Sequence, residues 1–141
     1  MVNELAEQLR PVVMRLSREL RREVRLLGVT AGQVSLLFAI NRSPGVGVRE
    51  LAAYEHISPA GMSRHVSGLV ELGLLRREDD PKDARRHGLH VTADGQKILR
   101  EARSRRAAWL ASRLRMLSVA DLEAIRGAVA PLGRLLEADR G

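Results

Sequence analysis

Cysteine is absent from the 141 residues, so disulfides, thiolate metal sites and thiol redox switches are excluded. Only three aromatic side chains occur, Phe38, Tyr54 and Trp109. Lysine is almost missing: apart from Lys82 and Lys97, every one of the 24 basic side chains is an arginine. No apolar run approaches the roughly 18 residues of a membrane span. The N-terminus lacks a signal-peptide pattern, and a soluble cytoplasmic protein with no membrane partner is expected. There is no phosphate-binding glycine loop and no Ser-His-Asp grouping that the coarse fold would bring together, so the chain does not read as an enzyme. His87 and His90 stand an odd number apart in an extended segment and point to opposite faces. With no cysteine and no close His/Glu cluster at helical spacing, neither a metal nor a cofactor is expected. No repeat and no low-complexity linker interrupts the chain, which reads as one domain over 1–141.

What is present is positive charge. The formal net charge is +7 and the pI is about 11.2, which favours a polyanionic partner. Arginine suits bidentate contacts to phosphate or guanine, although a coding bias gives the same composition. The excess is unevenly placed. Residues 42–92 hold eight basic and seven acidic side chains, while Arg100, Arg103, Arg105, Arg106, Arg113 and Arg115 crowd one later segment. Net charge therefore does not locate a binding surface; single arginines must.

Apolar spacing predicts a first helix over 5–27, carrying Leu5, Leu9, Val12, Val13, Leu16, Leu20, Val24 and Leu27. Pro11 predicts a kink or a start near it, and Gly28 a left-handed stop. Thr30 and Gln33 form a capping box for a second helix ending near Asn41. Ser43-Pro44-Gly45 breaks the chain before a short third helix, with Val48, Leu51 and Ala52 inward and Arg49 and Glu50 outward. Glu55-His56-Ile57 then turns, with Ile57 expected to pin the turn to the core.

The stretch from Ser58 to Thr92 organises the rest. Ser58 and Pro59 suit a helix start. Met62, Val66, Leu69 and Val70 make one face apolar, while Ala60, Gly61, Arg64, Ser67 and Gly68 set small residues around one guanidinium on the other. Gly73 ends the helix. Leu74–Glu78 reads as a strand, Asp79-Asp80-Pro81 as a turn, and alternation at Leu89 and Val91 as a second strand. A helix able to enter a groove, followed by a flap tipped with Arg85 and Arg86, suggests a winged helix-turn-helix that reads double-stranded DNA over 30–92.

Candidate contacts follow from placement. Arg64 is the best base reader, through guanine O6 and N7, with phosphate contact as the alternative. Ser63 and His65 are secondary candidates, and Ala60, Gly61 and Ser67 complete the open face. Arg49 is as readily a phosphate contact as a solvated arginine. Arg85 is placed for minor-groove insertion, with Asp83 orienting its guanidinium. Lys82 and Arg86 are assigned to phosphate or solvent. Beyond the wing, Thr92 caps a long helix lined by Ile98, Leu99, Ala102, Trp109, Leu110, Leu114 and Leu117. A box at Ser118–Asp121 starts a last helix with Leu122, Ile125, Val129, Leu132, Leu135 and Leu136 in its stripe. The stripes over 5–27 and 96–137 cannot easily cover one another within one chain. A homodimer built on those terminal helices is the economical answer, and a two-fold dimer calls for an imperfect inverted repeat in the DNA.

Asp83-x-Arg85-x-x-x-Leu89-x-Val91-Thr92-x-x-Gly95, together with Met62-Ser63-Arg64, Leu69 and Gly73-Leu74-Leu75, resembles the MarR family of bacterial transcriptional regulators. The resemblance implies a mainly α fold with a small β-wing, namely a winged helix-turn-helix plus terminal dimerisation helices. The function expected is that of a sequence-specific repressor or activator, read here as a repressor, and the resemblance implies its relief by a small phenolic or aromatic effector. A non-specific, architectural DNA-binding helical protein is the competing reading. The acidic Asp83 in the wing argues against it, because non-specific binding needs positive charge alone.

Overall fold

A computed structural model describes residues 1–137, apart from the side chain of Ala84. The elements are α1 (Val2–Glu23), a 3-10 turn (Val24–Leu27), α2 (Ala31–Arg42), α3 (Val48–Tyr54), α4 (Pro59–Glu71), β1 (Leu75–Asp80), β2 (Asp83–Val91), α5 (Ala93–Leu114) and α6 (Val119–Glu137). This is the mainly helical architecture with a small two-stranded wing that the apolar spacing predicts.

Local chemistry sets most boundaries. Thr30 Oγ1 accepts from the Gln33 amide at 3.0 Å and Gln33 Oε1 accepts from the Thr30 amide at 2.9 Å, closing the capping box of α2. Ser58 Oγ accepts from the Gly61 amide at 3.1 Å, and Pro59 opens α4. Both helices of the helix-turn-helix end in the same way. His56 N–H meets the Ala53 carbonyl and Ile57 N–H the Ala52 carbonyl, while Gly73 N–H meets Val70 and Leu74 N–H meets Leu69. Each is a Schellman closure with a left-handed residue, His56 at φ 55° and Gly73 at φ 75°.

Two expectations about these segments are corrected. Of the kink or start expected near Pro11, the start is excluded, because α1 begins at Val2 and runs through Pro11; Glu7 and Pro11 are exposed, so water can serve the carbonyl that the missing N–H leaves free. Ile57 does not pin its turn to the core, being 39% exposed. The Schellman hydrogen bonds hold the turn instead.

β1 and β2 pair antiparallel, with Leu75 opposite Val91, Arg77 opposite Leu89 and Asp79 opposite His87. Asp80 pairs next with Asp83, so Ala84, Arg85 and Arg86 form a bulge. The turn is Pro81-Lys82, and β1 runs two residues further than Glu78. The base of the wing is also tied to the α2–α3 loop. Gly45 N–H donates to the Leu89 carbonyl at 2.8 Å and Leu89 N–H to the Val46 carbonyl at 2.9 Å.

Val24, Val34, Leu37, Ile40, Met62, Val66, Leu69, Leu75 and Leu89 are fully buried and form the centre of the core. Full burial of such a side chain contributes roughly 1.5–3 kcal/mol, so this cluster holds α2, α4 and the base of the wing together. Thr92 joins α5 to it, donating Oγ1–H to the Gly73 carbonyl at 2.6 Å and accepting from the Gly95 amide at 3.1 Å. At Gly95 a methyl group would collide with the Leu74 carbonyl oxygen and Val91 Cγ1. Gly95→Ala is therefore expected to destabilise the fold by about 1–3 kcal/mol, the usual cost of overpacking, as a lowered urea midpoint. An unchanged midpoint would show that α5 can move aside.

The chain divides into two compact units, Met1–Arg106 and Ala107–Gly141, the division falling inside α5. In the first unit, α1 buries no residue and leaves Leu5, Val12, Val13 and Leu16 exposed. Some of the arginine excess is used internally here. Arg106 Nε–H donates to the Leu20 carbonyl at 3.1 Å, and burial, then repulsion from Arg21, lowers its pKa. Arg103 stands over the Phe38 ring at 5.8 Å. In the second unit, Ser118 Oγ accepts from the Asp121 amide at 3.1 Å to start α6, and α6 buries none of its described residues. No single described helix is long and apolar enough to cross a membrane.

Candidate nucleic-acid interface

α3 and α4 form the helix-turn-helix, and the wing follows directly from the end of α4. Met62, Val66 and Leu69 are buried completely, which turns Ala60, Ser63, Arg64 and His65 outward, all exposed. Gly61 is a correction to the open face. It is buried, with room for a Cβ limited by Ser58 Oγ at 3.0 Å and Ile57 Cγ2 at 3.3 Å. Its place is under the N-cap, where the capping hydroxyl draws it in.

Ser67 is half-buried and already engaged, accepting from Arg77 Nη2 at 3.0 Å. Arg77 is a residue that the sequence reading missed. The signal was in the alternation: Leu75, two positions earlier on the same strand face, is buried against the core, so Arg77 extends from that face along the flank of α4. An exposed guanidinium beside the groove helix is thereby added to Arg64.

The wing departs from expectation in how its charges are used. Asp83 Oδ1 accepts from the Arg85 backbone amide at 3.0 Å, and Asp80 Oδ1 accepts from the Lys82 amide at 2.8 Å. Both are Asx-type turns, so Asp83 shapes the backbone instead of holding the Arg85 guanidinium. Arg86, still exposed to solvent, pairs with Glu50 on α3. Glu78 is shared between Arg76 and His90, the latter at 3.1 Å, while His87 Nδ1 meets Asp79 at 2.8 Å. The two histidines thus carry separate carboxylate partners, and no metal-binding cluster forms among the described residues. Arg49, Arg64, Lys82 and Arg85 are exposed and have no carboxylate partner among the described residues. These four cations are distributed over α3, α4, the tip and the bulge, which suits a polyanion that touches every element of the motif.

A groove of about 520 Å³ lies beneath α4 in the same unit. Arg21, Gln33, Leu36, Met62, Arg64 and His65 are among its lining residues, so it runs from α1 to the helix that carries the best base-reading candidate.

Comparison with known proteins agrees with this geometry. The MarR family model matches residues 27–86, which spans α2, α3, α4 and most of the wing. An HTH-type transcriptional regulator of Mycobacterium tuberculosis is 32% identical over 124 residues, covering 88% of this chain and 87% of that protein. A transcriptional regulator of Pseudomonas aeruginosa superposes with a TM-score of 0.81 at 29% identity, covering 95% and 94% of the two chains. A MepR variant from S. aureus bound to an oligodeoxyribonucleotide shares the fold, with a TM-score of 0.70 at 19% identity over 95% and 96% of the chains. These relatives are regulators and not enzymes, and the chain belongs to the MarR family of DNA-binding transcriptional regulators.

Proposed function

We propose that the protein is a homodimeric, sequence-specific repressor, acting in the cytoplasm, that binds an imperfect inverted repeat and is released from it by a small ligand. The exposed face of α4 carries the specific part of this reading: Ser63, Arg64 and His65 are exposed, among small neighbours that let a helix approach base edges closely. Arg85 in the wing bulge supplies a thin cation for a neighbouring minor groove, and Arg49 and Lys82 supply phosphate contacts. The MepR variant of the same fold is bound to an oligodeoxyribonucleotide, which supports DNA as the partner.

Dimerisation is supported by the exposed stripes of α1 and α6. A helix that buries no apolar side chain lacks the packing from which most helices in proteins draw their stability. For the ligand, the groove under α4 is of ordinary small-molecule size at about 520 Å³, and Arg21 and Arg64 on its rim suit an acidic group. Occupancy can act on DNA binding by engaging Arg64 directly or by preferring one spacing of the two readers.

The test is a titration of the dimer against genomic fragments and random DNA at fixed salt. A preference of about 10³ or more for one fragment, with a symmetric footprint, is the expected result. Equal affinity for all DNA would favour the non-specific architectural reading. Phenolic acids added to the specific complex should lower its affinity, and a broad panel without effect would remove ligand control.

A further inference from the structure

Arg86 and Glu50 link the wing to α3, two elements that face DNA in the proposed reading. Their side chains are 53% and 49% exposed, so the pair contributes little to stability. Its placement matters more. Arg86 belongs to the bulge between the paired residues Asp83 and His87, and its Nε lies 3.5 Å from where a Cβ of Gly47 would stand. The guanidinium therefore lies across the start of α3, the helix that also carries Arg49. Below it the wing is fastened by backbone: Leu89 pairs with Val46, and a Cβ on Gly88 would meet the Gly45 carbonyl oxygen at 3.0 Å. Beyond that base, the ion pair joins the bulge to the helix-turn-helix.

Without the Glu50 carboxylate, Arg86 would join the exposed Arg49 as a second free guanidinium at α3. Any phosphate would attract them, whatever the sequence. Specificity is a difference between two affinities, and a device that lowers the sequence-independent one raises it. We propose that Glu50 is a specificity-determining residue, which holds Arg86 away from phosphate and, through it, seats the wing bulge that carries Arg85. This rests on the reading that α3 and the wing meet DNA.

The experiment compares the unmodified protein with Glu50→Gln, Arg86→Gln and the double variant, each titrated against operator and random DNA over a range of salt. Glu50→Gln should tighten random DNA about two- to five-fold per protomer. It should also steepen the salt slope by about 0.9 per protomer, because a freed arginine displaces one more counterion. Arg86→Gln should leave random affinity and slope unchanged while weakening the operator about two- to five-fold, through looser seating of the wing. The double variant should lose the gain of Glu50→Gln. The proposal is overturned if Arg86→Gln flattens the slope with Glu50 in place, since Arg86 then already meets phosphate. A Glu50→Gln gain that persists in the double variant also overturns it, because removal of one negative charge would then suffice. If the unmodified protein shows no operator preference, the DNA reading and this inference fall together. Intact preference with variants that change nothing removes this inference alone.

Discussion

Ile125→Glu combined with Leu132→Glu is expected to leave the protein monomeric, with operator affinity reduced to that for random DNA. The choice of positions comes from spacing. Leu122, Ile125, Val129, Leu132 and Leu136 recur at alternating intervals of three and four, the seam of two helices packed along their length. All five are at least 37% exposed in the single chain. Each side chain of this type contributes roughly 1.5–3 kcal/mol when fully covered, and two positions on two protomers multiply the loss. A glutamate there adds a carboxylate that must be desolvated without a partner. The effect on DNA follows from geometry, because two readers about 34 Å apart contact successive major grooves only while joined. Ala124→Glu, off the seam, should keep the dimer and the affinity. Light scattering at micromolar concentration and operator titration read both quantities. A double variant that stays dimeric would place the interface elsewhere, and an unmodified protein that is already monomeric would remove the two-fold operator as well.

The parts legible in the sequence are those encoded by neighbours. Thr30 with Gln33, Ser58 with Gly61 and Gly73 after Leu72 each act within a few residues, so the limits of α2 and α4 follow from local chemistry. The burial of Met62, Val66 and Leu69 likewise follows from helical period. What was not legible depends on residues far apart in the chain. The pairing of Val46 with Leu89 involves one residue on the loop side, too short for any period to reveal. The Arg86–Glu50 pair depends on a bulge, and a bulge of three residues cannot be read from alternation that it interrupts. His56 occupies a left-handed position that usually draws glycine, so the Schellman turn gave no signal and Ile57 was assigned a pinning role it does not have. Arg77 was readable from the face of Leu75, but alternation alone does not name Ser67 on α4 as its partner. Gly61 was placed with the small residues of the open face, although its hydrogen bond to Ser58 turns it inward.

Arg64→Ala and Arg85→Ala should separate two ways of recognising DNA. If the Arg64 fork meets a guanine edge, its loss removes about 1–3 kcal/mol at each half-site, or roughly 2–6 kcal/mol for a symmetric dimer, and spares random DNA. Arg85 stands in the wing bulge with its amide held by Asp83, so its direction is set by the turn and not by a side-chain partner. Its loss should therefore depend on the flanks: greatest where A·T-rich sequence narrows the minor groove, and smaller when the same operator is given G·C-rich flanks. Lys82→Ala serves as the electrostatic control at the tip. It should weaken operator and random DNA alike and flatten the salt slope by about 0.9 per protomer. All three side chains are exposed, so folding should be unaffected and any loss belongs to the interface. Titrations on the operator, on a flank-substituted operator and on random DNA decide between these roles. Should all three variants lose the same affinity on every DNA, these cations form a general electrostatic surface, and direct reading by Arg64 is wrong.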